Sequence, residues 1–260
     1  MKHYLNSLTL STSKYANSIH ALINIFSPAK EQSETIGSEL QVDLHGHWLP
    51  EVDDGAESVE EGLALVRGLA ELGYQKLIAT PHVMVDRYAN NPHKLRRSFR
   101  RFKKKVRKAR IPVELSLGAE YMLDEGFAQH LEEGDLLTLH QNLVLVEMSC
   151  LRATPRLDEY IFELQLKHYQ PVLAHPERYG YYHKDLSAYE ALKDAGILFQ
   201  LNLLALTGYY GRTVAEAANK LLARGWYDFA GTDVHHYRHI RRLSSKQVAA
   251  AGQLSNHLLL

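Results

Sequence analysis

Leu40-Gln41-Val42-Asp43-Leu44-His45-Gly46-His47 is a strand-like run that ends on two histidines separated by one residue. Alternate residues of an extended chain point the same way, so the pair can close on one ion. The pattern recurs. Residues 40–44, 76–79, 113–117, 143–146, 171–174, 197–201 and 227–230 form short runs, mostly apolar and bounded by turn residues, as strands of a buried parallel sheet are. Helical patterns fill the gaps. Ser58 with Glu61 three residues on forms a capping box. Leu63, Val66, Leu69 and Ala70 follow as an apolar stripe, and Gly73 ends it. Asn91-Pro92 opens a second helix, with Leu95, Phe99, Phe102 and Val106 on one side. Leu157, Ile161 and Leu164, then Val214, Ala218, Leu221 and Leu222, mark two more. Alternating strands and helices predict a parallel α/β protein, and a closed barrel-like arrangement fits better than an open sheet.

The barrel is favoured by where the histidines and acids fall. His45 and His47 follow the first strand and Asp54 lies in its loop. His82 follows the second strand and Glu120 the third. Glu147 ends the fourth and His175 the fifth, and Asp233 and His235 follow the seventh. In a parallel barrel the C-terminal strand ends converge on one mouth. Each residue alone reads as a satisfied polar group at a loop start; nine together read as a polynuclear metal site. Imidazole and carboxylate ligands suit manganese, iron or zinc, and the absence of cysteine ligands argues against a closed structural zinc site. Arg178, three residues past His175, is placed to hold a phosphate oxygen or assist a leaving group. His236 and His239 lie beside the site, where they could bind phosphate or orient a ligand, and Asn202 follows the sixth strand. Tyr179, Tyr181 and Tyr182 read equally as pocket lining or as packing.

Composition bounds the alternatives. The chain has 260 residues, 45% apolar and 23% charged, with 30 basic and 30 acidic residues, which is ordinary for a globular protein. It contains 15 histidines and one cysteine, Cys150, so no internal disulfide framework is possible and a reducing, cytoplasmic setting is expected. No apolar stretch is long enough for a membrane span. Residues 1–39, rich in Ser, Thr, Asn and Gln, read as a poorly ordered arm docking through Ile23 and Phe26; residues 40–260 read as the metal-bearing domain.

The runs Asp43-Leu44-His45-Gly46-His47, Val52-Asp53-Asp54-Gly55, Thr80-Pro81-His82, Gly118-Ala119-Glu120, His175-Pro176-Glu177-Arg178-Tyr179 and Thr232-Asp233-Val234-His235 resemble the polymerase and histidinol phosphatase (PHP) superfamily. Within it they are most similar to bacterial manganese-dependent protein-tyrosine phosphatases of the capsule and exopolysaccharide type. The resemblance covers residues 40–242. It implies a distorted seven-stranded (β/α)7 barrel, TIM-like, holding three divalent ions, manganese before iron or zinc. One ion would be held by His45, His47, Glu120 and Asp233. A second would be held by Glu120, Glu147 and His175, with Glu120 bridging, and a third by Asp54, His82 and His235. A metal-activated hydroxide would attack the phosphorus, with Arg178 assisting the leaving group. A further family arginine has no matching position; Arg238 or Arg241 is the nearest substitute, and His236 is a candidate substrate contact. The implied partner is a phosphorylated bacterial tyrosine kinase with an acidic, tyrosine-rich tail.

Four other readings compete. Cys150 and Arg156 have the spacing of cysteine-dependent phosphatases, but Leu151-Arg152-Ala153-Thr154-Pro155 between them has no glycine, and Pro155 removes an amide donor. A small-molecule phosphatase, such as one acting on histidinol phosphate, would share the site. A binding module that had lost catalysis should have lost ligands, and none of the nine is missing. A helix over residues 94–110 carries eleven Lys/Arg and no acid, leaving the rest of the chain with 19 basic against 30 acidic residues. It reads as a solvated face, or as a dock for an acidic phosphorylated tail or anionic surface. Nucleic acid is disfavoured, because Phe99 and Phe102 fall on the apolar stripe rather than among the charges.

Overall fold

The apolar runs pair side by side in parallel. A computed structural model describes residues 40–243 together with Leu254 and Asn256; the proposed arm, with Ile23 and Phe26, lies outside them. The strands are β1 (Val42–Asp43), β2 (Lys76–Ala79), β3 (His82–Val83), β4 (Glu114–Leu117), β5 (Glu120–Met122), β6 (Leu143–Glu147), β7 (Gln170–Ala174), β8 (Leu198–Asn202) and β9 (Phe229–Gly231). The helices are α1 (Val59–Glu71), α2 (Pro92–Lys108), α3 (Phe127–Glu133), α4 (Leu157–Leu166), α5 (Leu186–Asp194), α6 (Arg212–Ala223) and α7 (Tyr237–Arg242). The strands form a three-stranded sheet, β1-β2-β4, and a six-stranded sheet, β3-β5-β6-β7-β8-β9, parallel throughout.

This differs from seven unbroken strands in one closed sheet. The expected runs 76–79 and 113–117 form β2 and β4, and each is followed, after a break, by a short strand beyond the expected bounds, β3 and β5. Pro81 has no N–H to donate, and Thr80 just before it continues the β1–β2 register by bonding Gly46 (Gly46 N–H to Thr80 Oγ1, 3.1 Å; Thr80 N–H to Gly46 O, 3.0 Å). The breaks at Thr80-Pro81 and Gly118-Ala119 lie side by side, bridged by bonds from Gly118 N–H to Ala79 O (2.8 Å) and Glu120 N–H to Pro81 O (3.1 Å). The outer strands β1 and β9 meet where the chain passes the site. Asp233 N–H donates to His45 O and His47 N–H to Val234 O, both at 2.8 Å. Gly231 permits this approach, since a Cβ there would collide with His45. Below, side chains replace the ladder. Asp43 accepts from Thr232 N–H (2.8 Å) and its hydroxyl (2.6 Å). Buried Asn256 donates to Val42 O (2.8 Å) and Ala230 O (2.6 Å) and accepts from Ala230 N–H (2.9 Å).

Strand alternation sorts the core. Val42, Leu44, Ile78, Leu145, Val172, Ala174 and Phe229 pack together on one side of the strands. Val144, Val146, Leu173, Phe199 and Leu201, one residue out of phase, pack against the helices. Glu147 and Gln200, two residues beyond Leu145 and Leu198, therefore share the inner face of β6 and β8. The caps hold: Ser58 accepts from Glu61 N–H (3.2 Å) and Asn91 from Lys94 N–H (2.9 Å). The basic helix opens at Asn91-Pro92 as expected and ends two residues short of the expected Arg110. It begins at Pro92 and stops at Lys108, with Arg110 left-handed (φ 55°), because Ile111 precedes Pro112 and is steered away from helical backbone.

Candidate metal centre

All nine expected side chains meet at the C-terminal strand ends. Glu120 is at the middle. Its Oε2 lies 3.2 Å from His45 Nε2, 3.4 Å from His47 Nε2 and 3.2 Å from His82 Nδ1, while Oε1 lies 3.0 Å from His175 Nε2. Asp233 Oδ1 is 3.4 Å from both His45 Nε2 and His47 Nε2. Glu147 reaches His82 Nδ1 at 2.9 Å and His175 Nε2 at 4.0 Å. Asp54 Oδ1 faces His82 Nε2 (3.4 Å) and His235 Nε2 (3.5 Å). Four overlapping sets have ligand atoms close enough to share an ion: His47, Asp54, His82 and His235; His45, His47 and Asp233; His45, Glu120 and His175; and His82, Glu120 and Glu147. His45, His47, His82 and Glu120 each belong to two sets.

The site is graded from inside to out. Side chains of His45, His47 and Glu120 are 0% exposed, those of His82 and His235 13% and 15%, and Asp54 49%. Among these side chains the centre is most open to solvent at Asp54. Burial opposes charge on His45, but Glu120 and Asp233 outweigh it and hold the imidazole above its usual range. His47 is held higher still against burial, first by Asp53. His82, also desolvated, is pushed up to about 9 by Glu120 and Glu147. Conversely, despite burial, the imidazoles hold Glu120, Asp233 and Asp54 below the carboxylate range.

Donor chemistry tests whether a cation fits. His82 Nδ1, Glu120 Oε2 and Glu147 Oε1 are buried, and none makes a directed hydrogen bond. Buried polar atoms are nearly always satisfied, so convergent nitrogen and oxygen donors without a directed hydrogen bond suit a divalent ion, which would displace the imidazole proton. Imidazole nitrogen and carboxylate oxygen suit manganese, iron or zinc.

A supporting layer aims these side chains. His45 Nδ1 hydrogen-bonds Gln200 Oε1 (2.8 Å), His47 Nδ1 bonds Asp53 Oδ2 (2.8 Å), and His235 Nδ1 bonds Asp233 O (2.9 Å). With Nδ1 so engaged, each ring turns Nε2 into the centre. Asp53 also accepts from His82 N–H (3.0 Å) and Gly55 N–H (3.0 Å), and Gly55 must be glycine because a Cβ would strike the His47 carbonyl. Sequence reading passed over Asp53 and Gln200. The duplicated acid Asp53-Asp54 and the alternation of β8 were the available signals. His175 (φ 37°) and Asp233 (φ 50°) hold left-handed backbone, a cost met at both positions inside the centre.

Arg178 donates to Asp233 Oδ2 (3.2 Å) and lies 4.7 Å over the Tyr210 ring. Asn202 donates to the same Asp233 oxygen (2.7 Å) and to Tyr210 Oη (3.1 Å). Glu177 is buried, which pushes it up to about 7, and accepts from Asn202 N–H (2.8 Å) and Tyr227 O–H (2.9 Å).

The other candidate contacts divide, and His239 takes the second of its two expected roles, orienting a ligand. Buried His239 accepts from His235 N–H (3.2 Å) and pairs with Tyr209 Oη (3.0 Å), so it braces the His235 turn and is not open to phosphate. His236 is exposed, its ring 6.2 Å from that of His235. Arg238 is exposed, and Arg241 stacks over Tyr237 at 5.9 Å. Tyr179 is fully buried between Met148 N–H and Ala174 O, so it is packing and not pocket wall. Cys150 is exposed as a residue, yet packing at its sulfur and the nearby Glu147 carboxylate push the thiol up against the pull of Arg178. Arg156 is turned to Glu159 (2.8 Å) and Tyr160. Neither forms a phosphate-wrapping loop.

Parallel strands that bring imidazoles and carboxylates together at their C-terminal ends define a metal-centre α/β protein of hydrolase type. Residues 41–250 match the family "Capsular polysaccharide synthesis, CpsB/CapC", and the chain belongs to it. Tyrosine-protein phosphatase YwqE of Bacillus subtilis is 29% identical over 198 residues, covering 76% of this chain and 78% of YwqE. Tyrosine-protein phosphatase CpsB of Streptococcus pneumoniae is 22% identical over 201 residues, covering 75% and 83%. Among solved structures, a chain from the crystal structures of YwqE and CpsB, described as "unique metal-dependent tyrosine phosphatases", superposes with a TM-score of 0.73 at 27% identity, covering 80% of this chain and 84% of that one.

Proposed function

We propose that this chain is a metal-dependent protein-tyrosine phosphatase acting on a bacterial tyrosine kinase that regulates capsule or exopolysaccharide synthesis. The observation that carries the reading is the set of nine converging side chains, with buried donor atoms of His82, Glu120 and Glu147 making no directed hydrogen bond, in a member of this family. Three manganese ions per chain is the occupancy proposed. His45, His47, Asp233 and Glu120 would hold the innermost ion, Glu120, Glu147 and His175 a second, and Asp54, His82 and His235 the outermost. Such ions supply an activated hydroxide at neutral pH and neutralise phosphoryl oxygens.

The chain's own residues do the rest. Arg178, 29% exposed, is tethered by Asp233 beneath and Tyr210 beside it, and its remaining N–H groups are available to a phosphate oxygen or a departing phenolate. Gln200 and Asp53 keep the deep imidazoles from rotating. Asp54 and His235 stand at the entrance, where an aryl phosphate arrives. No covalent enzyme intermediate is involved, so Cys150 is dispensable. The two sheets are proposed to be arcs of one distorted seven-membered barrel, supported by the bonds from Asp233 to His45 and His47 to Val234. No helix of the described residues is long and apolar enough to cross a membrane, and a cytoplasmic site of action is part of the proposal.

The test pairs metal analysis with turnover of a phosphotyrosyl peptide and of histidinol phosphate. Peptide hydrolysis should dominate, and His45→Ala should lose both metal and activity. Full activity in His45→Ala overturns the metal mechanism. Preference for histidinol phosphate moves the chain to the small-molecule reading.

A further inference from the structure

We infer that the exposed face of α2 is a docking track for the acidic residues that flank the phosphotyrosine of a peptide substrate. The inference rests on the phosphatase reading for its substrate, but the surface stands on its own geometry. Arg97, Arg101, Lys104 and Lys108 recur at helical spacing and form one stripe, flanked by Arg100 and Arg107 on one side and Lys94 and Lys105 on the other. All eight are exposed. Among the described residues, none of the eight has a carboxylate within ion-pair distance, whereas neighbouring Arg96 is held by Asp135 at 2.7 Å. A groove of about 470 Å³ runs between the side chains of Arg97, Arg100, Arg101, Lys103, Lys104 and Arg107.

Helix stability accounts for only part of this charge: the dipole favours Lys105, Arg107 and Lys108 in the last turn but not the cations before them. Like charges three and four residues apart repel, and the first turn lacks the acid that a helix dipole favours. Anchoring to the fold is done by the opposite face, where Leu95, Phe102 and Val106 are buried.

The track begins at the centre's rim. Asn90, two residues before the helix, is buried and donates to His82 O (2.8 Å) and Val52 O (2.8 Å). Tyr88 stacks on the His82 ring at 5.6 Å, with Arg87 at 5.7 Å over Tyr88. Cations thus lead from the open side of the centre onto α2. Seventeen helical residues span about 25 Å, the reach of roughly eight residues of extended peptide.

An acidic peptide fits this surface better than the other polyanions. Four of the six groove residues are arginines, whose planar forks suit carboxylate and phosphate groups. A bilayer ligand is disfavoured because the stripe carries no exposed apolar side chain for insertion and its cations wrap a convex surface. Bases have nothing to stack on, since the Phe99 and Phe102 rings face Trp48 at 6.5 and 6.0 Å.

The test uses the full chain and the quadruple variant Arg97→Glu, Arg101→Glu, Lys104→Glu, Lys108→Glu. A fluorescent ten-residue Asp/Glu peptide without tyrosine should bind the wild type with strong salt dependence, and the variant at least about tenfold more weakly. With phosphotyrosyl peptides, an acidic extension should lower KM for the wild type only, while p-nitrophenyl phosphate turnover stays unchanged in the variant. Equal binding of the acidic peptide by both proteins overturns the inference. So does a variant that loses only phosphatidylglycerol vesicles, single-stranded DNA or self-association, with acidic-peptide binding absent from the wild type. If neither protein hydrolyses phosphotyrosine but the binding difference holds, the docking surface survives and the phosphatase reading fails.

Discussion

Replacing Asp53 by alanine should weaken the centre without touching any side chain expected to hold an ion. The carboxylate is buried and takes three hydrogen bonds, from His47 Nδ1–H, His82 N–H and Gly55 N–H. Breaking a buried, hydrogen-bonded ion pair by removing one partner costs about 3–5 kcal/mol. Three donors stranded at about 1–3 kcal/mol each give about 3–9 kcal/mol, a range that overlaps it. The metal-free protein should therefore unfold at markedly lower urea. In the metal-bound protein, a His47 ring freed to rotate should cost roughly 10–100-fold in affinity, the usual range for loss of a carboxylate behind a ligating histidine. Affinity can be read by competition with a chromophoric chelator, and stability by urea titration of EDTA-treated protein. Asp53→Asn adds a control. An amide oxygen in place of Oδ2 keeps two of the three bonds, so asparagine should fall between wild type and alanine. Wild-type affinity and stability in Asp53→Ala, or an asparagine variant worse than alanine, would refute the claim that Asp53 aims His47.

Three further outcomes are expected. The pKa of His82 rises from 6.5 to about 9 on folding, so the stability it contributes to the metal-free protein is complete below pH 6.5 and lost as pH rises through 9; EDTA-treated protein should melt lower at pH 9.5 than at pH 6, and added manganese should reverse that order by displacing the protons. Asn256→Ala removes three buried hydrogen bonds between β1 and β9 and should cost roughly 3 kcal/mol by urea unfolding. Cys150→Ser should keep activity within about twofold, and EDTA should abolish turnover where iodoacetamide does not.

Much of this was legible because strand ends are written locally. The apolar run before His45, the run ending on Glu147 and the run before His175 each carry strand and site residue together, and a parallel sheet converts sequence order into spatial convergence. What was illegible depends on contacts between distant segments. Glu177 adjoins Arg178 and has no role assigned from sequence, yet it is buried, and Asn202 and Tyr227, from β8 and the approach to β9, supply its bonds. Tyr179 reads equally as pocket lining or packing until its hydroxyl is seen between Met148 and Ala174. Asp53 and Asp54 carry the same local signal, and only the resemblance picks out Asp54; the fold turns Asp53 inward to His47 and Asp54 outward to His82 and His235. Helices α3, α5 and α7, at seven, nine and six residues, are too short for a periodic stripe to announce them.

The centre is gathered from segments far apart in the chain, and this has a consequence in time. His45 and His235 are about 190 positions apart, so at 5–20 residues per second a ribosome takes roughly 10–40 s between them. Throughout that interval His45 and His47 exist without Glu120, then without Asp233, and Asn256 is made later still. A nascent chain therefore offers passing ions only a loose imidazole pair, whose preference follows raw affinity and favours copper and zinc over manganese. The proposed carboxylate ligands Glu120 and Asp233 are together only once β9 has joined β1, so any preference for manganese would have to be set in the finished protein.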